Sequence, residues 1–270
     1  WPVNLEVRAE VPPPYGDQWT LDATLSGSVR DLMVAATSRG YLNAKLSGQV
    51  APLDPSLPAR LRITSDQFRA AEALPETLVL NDWSVEARGS LQKGFRAQGR
   101  ARLPGTTGPV QLALEGLVTT QAAQGIRIEL ATDNSNGSER NTVVANGRVA
   151  WSEVLEASAD VRLRGFPWYT LVPGLEEPAV TLQSLDGTVS WREGSYHAEL
   201  EAGVDGPQGR ADLSTTVDGD SEQTTLTDLR ISTGAGSLTG NGSVNFAGPL
   251  SWQAALALQN FNPGYWVPVL

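Results

Sequence analysis

Apolar and polar residues alternate with a period of two along almost the whole chain. In the first stretch, Val3, Leu5 and Val7 alternate with Asn4 and Glu6. Successive side chains of a strand point to opposite faces of a sheet, so the pattern predicts strands with one apolar and one polar face. One strand every 15 residues or so gives about 18 strands. The sequence therefore predicts an all-β protein built on a long, curled, antiparallel-rich sheet.

Turn signals separate the predicted strands. Hairpin sequences occur at Gln92-Lys93-Gly94, Arg192-Glu193-Gly194-Ser195 and Asp218-Gly219-Asp220. Helix signals are few. The segment 66–74 is predicted as a short helical turn that Pro75 ends, because proline cannot continue a helix.

Composition excludes several function classes. The 270 residues include 30 acidic and 20 basic side chains, for a net charge of −10. This balance argues against nucleic-acid binding and, more weakly, against docking on an anionic membrane surface. There is no Cys, which excludes disulfides, a thiolate nucleophile and cysteine metal sites. No apolar run approaches 18 residues, and the chain starts at Trp1 without an initiator Met, so we expect a piece of a longer protein.

Catalytic signals are absent or weak. The one histidine, His197, lies on the polar phase of a predicted strand, where a surface role is expected. No Gly-x-Ser-x-Gly sequence is present. The pair Glu176-Glu177 lies beside a proline in a predicted loop, and the segment 133–137 lacks the full calcium-loop pattern. We therefore predict no enzyme activity, no cofactor and no metal site.

An internal repeat of about 95 residues runs through the chain. Residues 146–151 align with residues 241–246, and Leu163 and Phe166 then align without a gap with Leu258 and Phe261. The matching parts are residues 40–70, 141–173 and 236–268. Such repetition is typical of quasi-one-dimensional proteins, so residues 1–270 are predicted to form a single continuous segment.

Large and small apolar residues occupy the same alternate positions of the predicted strands, which point to one face of the sheet. These positions are called the apolar phase. The Gly and Ala residues on this phase indicate either a tightly packed sheet or a groove that side chains leave partly open for an apolar ligand. The candidate groove residues are the large members of this phase. They are Leu21, Leu25, Leu46, Leu61, Ile63, Leu112, Leu114, Ile126, Ile128, Val161, Leu163, Val189, Trp191, Leu200, Leu256 and Leu258.

The repeat carries a recognisable pattern. Gly147-x-Val149-x-Trp151 leads to Gly165-Phe166-Pro167, and Gly242-x-Val244-x-Phe246 leads to Asn260-Phe261-Asn262-Pro263. In these motifs the chain resembles the TamB branch of the AsmA-like family. The resemblance implies a β-taco, a U-shaped sheet with a hydrophobic concave face, in a Gram-negative periplasmic protein anchored in the inner membrane by an N-terminal helix.

The resemblance also implies partners and a role. The expected ligand is phospholipid, carried between the inner and outer membranes, and the expected protein partner is an outer-membrane barrel of the TamA type. A role in outer-membrane protein (autotransporter) assembly is implied as well, and no nucleic acid is expected. The alternative from the residues alone is a secreted β-helix or β-sandwich adhesin or structural binding module. An open apolar face would separate the two hypotheses.

Overall fold

A computed structural model describes residues 1–11, 19–40, 42–69, 74–132, 141–207 and 209–261. In this part of the chain there are seventeen strands and two short 3₁₀ helices. The strands are β1 (Pro2–Val11), β2 (Trp19–Ser28), β3 (Asp31–Arg39), β4 (Ala44–Val50), β5 (Pro58–Phe68), β6 (Leu80–Ser90), β7 (Gly94–Leu103), β8 (Val110–Val118), β9 (Ala122–Thr132), β10 (Asn141–Ala150), β11 (Glu156–Arg164), β12 (Thr181–Arg192), β13 (Ser195–Gly206), β14 (Gly209–Gly219), β15 (Gln223–Thr233), β16 (Ser237–Asn245) and β17 (Ser251–Gln259). The predicted all-β class is confirmed.

The strands form one antiparallel sheet in chain order. Strands β1 to β8 each pair with the next. Strands β10 to β17 do the same, and β9 pairs with β8 and β10. A β-helix would need parallel rungs, and a sandwich would need two facing sheets. The described strands show neither arrangement, so the adhesin architectures were the wrong alternative.

Two compact units divide the chain. Unit 1 comprises Trp1–Ile128 and Leu171–Pro173, and unit 2 comprises Glu129–Thr170 and Gly174–Leu270. Each unit contains its own run of hairpins.

The sequence repeat corresponds to six strands. Its copies contain the hairpins β4–β5, β10–β11 and β16–β17. In the first two copies, the connection that follows the hairpin contains a 3₁₀ helix, Glu76–Leu78 after β5 and Trp168–Leu171 after β11. In the third copy, residues 262–268 lie outside the described residues.

The structure confirms a predicted hairpin turn but not the start of the predicted helical turn. Glu193 and Gly194 have φ values of 50° and 91° in the β12–β13 turn, as a type I′ hairpin requires. The first residues of the helical turn predicted over 66–74 are wrong, because β5 continues to Phe68, and residues 70–73 lie outside the described residues. A 3₁₀ helix follows Pro75, whose fixed φ suits a helix start. None of the described helices is long and apolar enough to span a bilayer.

Candidate functional site: the apolar face

Strand register brings the predicted groove residues of unit 1 into continuous rows. Leu46 pairs with Ile63, and Leu25 lies in the neighbouring row with Leu61. One full row is Val7, Ala23, Ala36, Leu46, Ile63, Val85, Gly99 and Leu114, and the next is Leu5, Leu25, Val34, Gly48, Leu61, Ala87, Ala97 and Gly116. Each row crosses eight strands without a polar or charged side chain. We call this surface the apolar face of unit 1.

Unit 2 has an apolar face of the same kind. Val161 and Leu200 both pair with Gly187, and Leu163 and Leu258 lie in one row. That row is Val143, Leu163, Leu185, Ala202, Leu213, Ile231, Leu238 and Leu258. It again crosses eight strands and contains only apolar side chains. The repeat therefore preserves the apolar face from one unit to the other.

The candidate groove residues differ in burial. Leu163 is 5% exposed and belongs to the packed part of unit 2. Ile128, Leu256 and Leu258 are 39%, 51% and 48% exposed, the last two on the edge strand β17. The other twelve are half-buried. All described strands belong to one sheet, so within the described residues no second sheet covers these side chains.

Leucines fill the space beside three of the glycines on the apolar face. A Cβ added at Gly48 would lie 2.6 Å from Leu61 Cδ2, and one at Gly187 would lie 2.6 Å from Leu200 Cδ2. A Cβ added at Gly240 would lie 2.7 Å from Leu256 Cδ2. Of the two interpretations of the small residues, these contacts favour close packing between neighbouring strands. A leucine side chain covers each of these three glycines, so the surface has no hole there.

The connections at one rim of each unit bury part of the apolar face. In unit 1, Val79 follows the first 3₁₀ helix and is buried, as is Val110 at the start of β8. Thr77 Oγ1 donates a hydrogen bond to the carbonyl oxygen of Leu171 at 2.6 Å, across 94 residues of sequence. In unit 2, Phe166 is buried next to the second 3₁₀ helix. These connections thus cover strand ends at one rim of each unit.

Few polar groups reach the apolar face. Trp83 contacts Phe68 edge to face, with ring centroids 6.2 Å apart, and its buried Nε1 has no hydrogen-bond partner among the described residues. Tyr196 shares a hydrogen bond with Thr224, and Thr215 donates to the carbonyl oxygen of Thr227 at 3.2 Å. Trp83 is not among the candidate groove residues predicted from the sequence, although its position in the β6 alternation places it on this face.

The chemistry of the opposite, polar face is that of a solvated surface. His197 is exposed there as predicted, with Nδ1 2.7 Å from Asp218 Oδ1 and Nε2 3.7 Å from Glu199 Oε1. The hydrogen bond with Asp218 raises the pKa of His197 above its usual value. The described residues contain no cluster of His, Asp or Glu side chains suited to a metal ion.

The two units differ in charge, a difference that was not predicted from the sequence. Unit 1 contains thirteen Arg and Lys residues against twelve Asp and Glu residues, and unit 2 contains seven against eighteen. The whole negative charge of the chain therefore belongs to unit 2. A shallow depression of about 710 Å³ on β11–β15 includes Asp160, Asp186, Glu199, Glu201 and Asp228 in its lining.

Comparison with known proteins identifies the family. The family model described as "TamB, N-terminal domain" matches residues 1–192 and 170–270, which together span the chain. No curated protein and no solved structure matches. The family model covers far more than half of the sequence, and the predicted resemblance is confirmed. The chain belongs to the TamB family of bacterial envelope proteins.

Proposed function

We propose that this chain is a periplasmic, non-catalytic segment that carries phospholipid acyl chains along its apolar face between the inner and outer membranes. The observation that carries the proposal is that each unit has uncharged rows, two in unit 1 and one in unit 2, that cross eight strands. Burial of an acyl chain gives about 0.8 kcal/mol per methylene and has no direction. A uniform apolar surface therefore binds lipid yet allows it to slide, because each step exchanges similar contacts.

The parent protein would act together with an outer-membrane barrel of the TamA type. Head groups would remain in water beside the apolar face, since the strand rows offer them no charged partner. The inner-membrane anchor expected from the family resemblance would hold the segment in the periplasm. These assignments rest on family membership together with the chemistry of the apolar face.

A pair of substitutions on β8 tests the acyl-chain proposal. Leu114 lies on the apolar face, and Ala113 is exposed on the polar face. The purified chain should carry copurified phospholipid in native mass spectrometry. Leu114→Asp should lose it, because a carboxylate on the apolar face disrupts acyl contacts, whereas Ala113→Asp should retain it.

Circular dichroism and thermal unfolding would confirm that both variants fold. If Leu114→Asp does not fold, the milder pair Leu114→Ser and Ala113→Ser replaces it. A lipid-free wild-type chain, or equal lipid content in both folded variants, would contradict the proposal.

A second candidate function is outer-membrane protein assembly by strand pairing. All nine residues of β17 are exposed, and among the described strands β17 pairs only with β16. An edge strand offers unpaired backbone groups to an extended client segment. A photo-crosslinker at Ala257 on β17 should capture an unfolded outer-membrane client, whereas one at its partner Thr239 on β16 should not. Equal capture at both positions would exclude edge pairing.

A further inference from the structure

A basic surface covers the polar side of β5, β6 and β7 in unit 1. Register places three arginines directly opposite one another, Arg60 with Arg88 and Arg88 with Arg96. We define the basic face as this arginine row together with the next two rows on the same side of the sheet, nine residues in all. They are Arg60, Arg88 and Arg96, then Arg62, Glu86 and Gln98, and finally Thr64, Ser84 and Arg100. Five of the nine are arginines, and only one is acidic.

One acidic residue, Glu86, faces the five arginines of the basic face, so most of their charge is not neutralised by the protein. Glu86 accepts a hydrogen bond from Arg88 at 3.1 Å and lies 3.6 Å from Arg62. Arg60 and Arg96 form no ion pair or side-chain hydrogen bond with any described residue. Like charges directly opposite one another across strands are unfavourable, so the central row is an arrangement that an anionic partner would stabilise.

The shape of the array favours an extended anionic surface over a single small anion. Neighbouring strands lie roughly 4.8 Å apart, and alternate residues along a strand roughly 6.6 Å apart, so the guanidinium groups spread in two dimensions. All five arginines are exposed. A site for one small anion would instead need donors that converge in a buried pocket. A fluid layer of phosphates can match a spread array without ordering a partner chain.

The charge of the whole chain does not exclude such docking. Interactions between exposed charges are screened beyond about 8 Å at physiological ionic strength. A membrane surface therefore senses the basic face locally, and the acidic residues that give the chain its net charge belong to unit 2. The guanidinium group also binds phosphate with two parallel hydrogen bonds, which suits a surface built from arginine.

We propose that the basic face docks on an anionic phospholipid surface through contacts between its arginines and head-group phosphates. This contact is separate from acyl-chain binding, because it uses the opposite side of the sheet. It orients unit 1 with its polar face toward the bilayer. The expectation from net charge, that the chain avoids an anionic membrane surface, would then hold for unit 2 alone.

Vesicle flotation with the full 270-residue chain tests the docking. The wild-type chain should float with vesicles of phosphatidylcholine that contain phosphatidylglycerol, and should not float with pure phosphatidylcholine. Each arginine near an anionic surface contributes about a five-fold factor to binding. The triple variant Arg60→Gln, Arg88→Gln and Arg96→Gln should therefore lower partitioning roughly 100-fold.

The matched control removes three arginines from unit 2. Arg192→Gln, Arg210→Gln and Arg230→Gln change the net charge by the same amount and should reduce partitioning less than two-fold. If the basic-face triple does not fold by circular dichroism, Arg60→Gln alone should lower partitioning about five-fold. Equal losses in the two triples, or no flotation of the wild type, would overturn the proposal.

Two further outcomes would assign the basic face to another partner. Complete displacement from vesicles by millimolar inorganic phosphate, at constant ionic strength, would overturn membrane docking in favour of a soluble phosphate ligand. Self-association without vesicles that the basic-face triple abolishes would assign the surface to a second copy of the chain. Lipid retention on the apolar face, measured separately, distinguishes failure of this proposal from failure of acyl-chain binding.

Discussion

The basic face of unit 1 has a counterpart in unit 2 that carries the opposite charge. The row of Arg60, Arg88 and Arg96 corresponds to the row of Asp160, Thr188 and Glu199. The neighbouring row keeps an arginine opposite an acidic residue, since Arg62 and Glu86 correspond to Arg162 and Asp186. In unit 2 the charges are better paired, with Arg164 bound to Asp186 through two hydrogen bonds of 2.8 and 2.9 Å.

The apolar faces of the same strands do not differ in this way. Leu61 and Ile63 of β5 correspond to Val161 and Leu163 of β11, and both pairs lie in uncharged rows. The two sides of the sheet are therefore under different physical constraints. Replacement of an apolar residue by a charge removes burial energy, whereas reversal of an exposed charge changes stability little. The repeat can keep one ligand-binding side and vary the other.

The largest effect should come from the packed part of the apolar face. Leu163→Ala should destabilise the chain by about 2–4 kcal/mol, because Leu163 is buried and its loss leaves a cavity. Leu258→Ala, at the same position of the repeat, should cost under about 1 kcal/mol because Leu258 is half exposed. Urea unfolding measures both. Equal losses of stability in the two variants would show that position in the repeat, and not burial, sets how much each leucine contributes to the free energy of unfolding.

Gly187→Ala should have the next largest effect and destabilise the chain by about 1–3 kcal/mol. The added Cβ would lie 2.6 Å from Leu200 Cδ2 and 3.0 Å from the carbonyl oxygen of Glu199. Leu200 would have to move off its position beside the glycine. The control is Gly194→Asn in the turn, where nothing lies within 4 Å of an added Cβ and Asn tolerates a positive φ. A neutral Gly187→Ala would mean that the apolar face has free space there.

Charge reversal on the basic face should stabilise the chain, in contrast to the two substitutions above. Arg96→Glu replaces a like-charged cross-strand pair with Arg88 by an attractive one and should stabilise the chain by about 0.5 kcal/mol at low salt. The gain should shrink in 0.5 M salt, because the pair is exposed and screened. Thermal unfolding at the two salt concentrations measures this. A destabilised Arg96→Glu at low salt would show that the arginine row is not mutually repulsive.

The smallest effect should be the pH dependence that His197 gives to unit 2. Its pKa is raised in the folded state by the hydrogen bond with Asp218. The folded state therefore binds the proton more tightly, and this stabilisation is fully present below the unfolded pKa of about 6.5 and is lost as pH rises through the folded pKa. An NMR titration of the single histidine should report the raised pKa, and Asp218→Asn should lower it. An unchanged pKa in Asp218→Asn would exclude the carboxylate as the cause.

The fold was predictable from the sequence because its main signal is local. The alternation in β13 places Ala198 and Leu200 on one face and His197 on the other without reference to any other strand. Positive φ at Gly194 follows from the turn sequence. Residues 66–68 were misassigned to a helical turn because a short mixed segment does not distinguish a strand end from a helix start.

The sequence by itself determined the strands, the two faces, the repeat and the family. The tertiary structure decided which residues meet across strands. Arg60 and Arg88 are 28 residues apart in the sequence and directly opposite in the sheet, and Leu200 fills the space beside Gly187. The period-two pattern fixes the face of each side chain but not its neighbour, because any shift by two residues preserves the pattern. Pairwise contacts between strands set the register, and the register alone assembles the basic face.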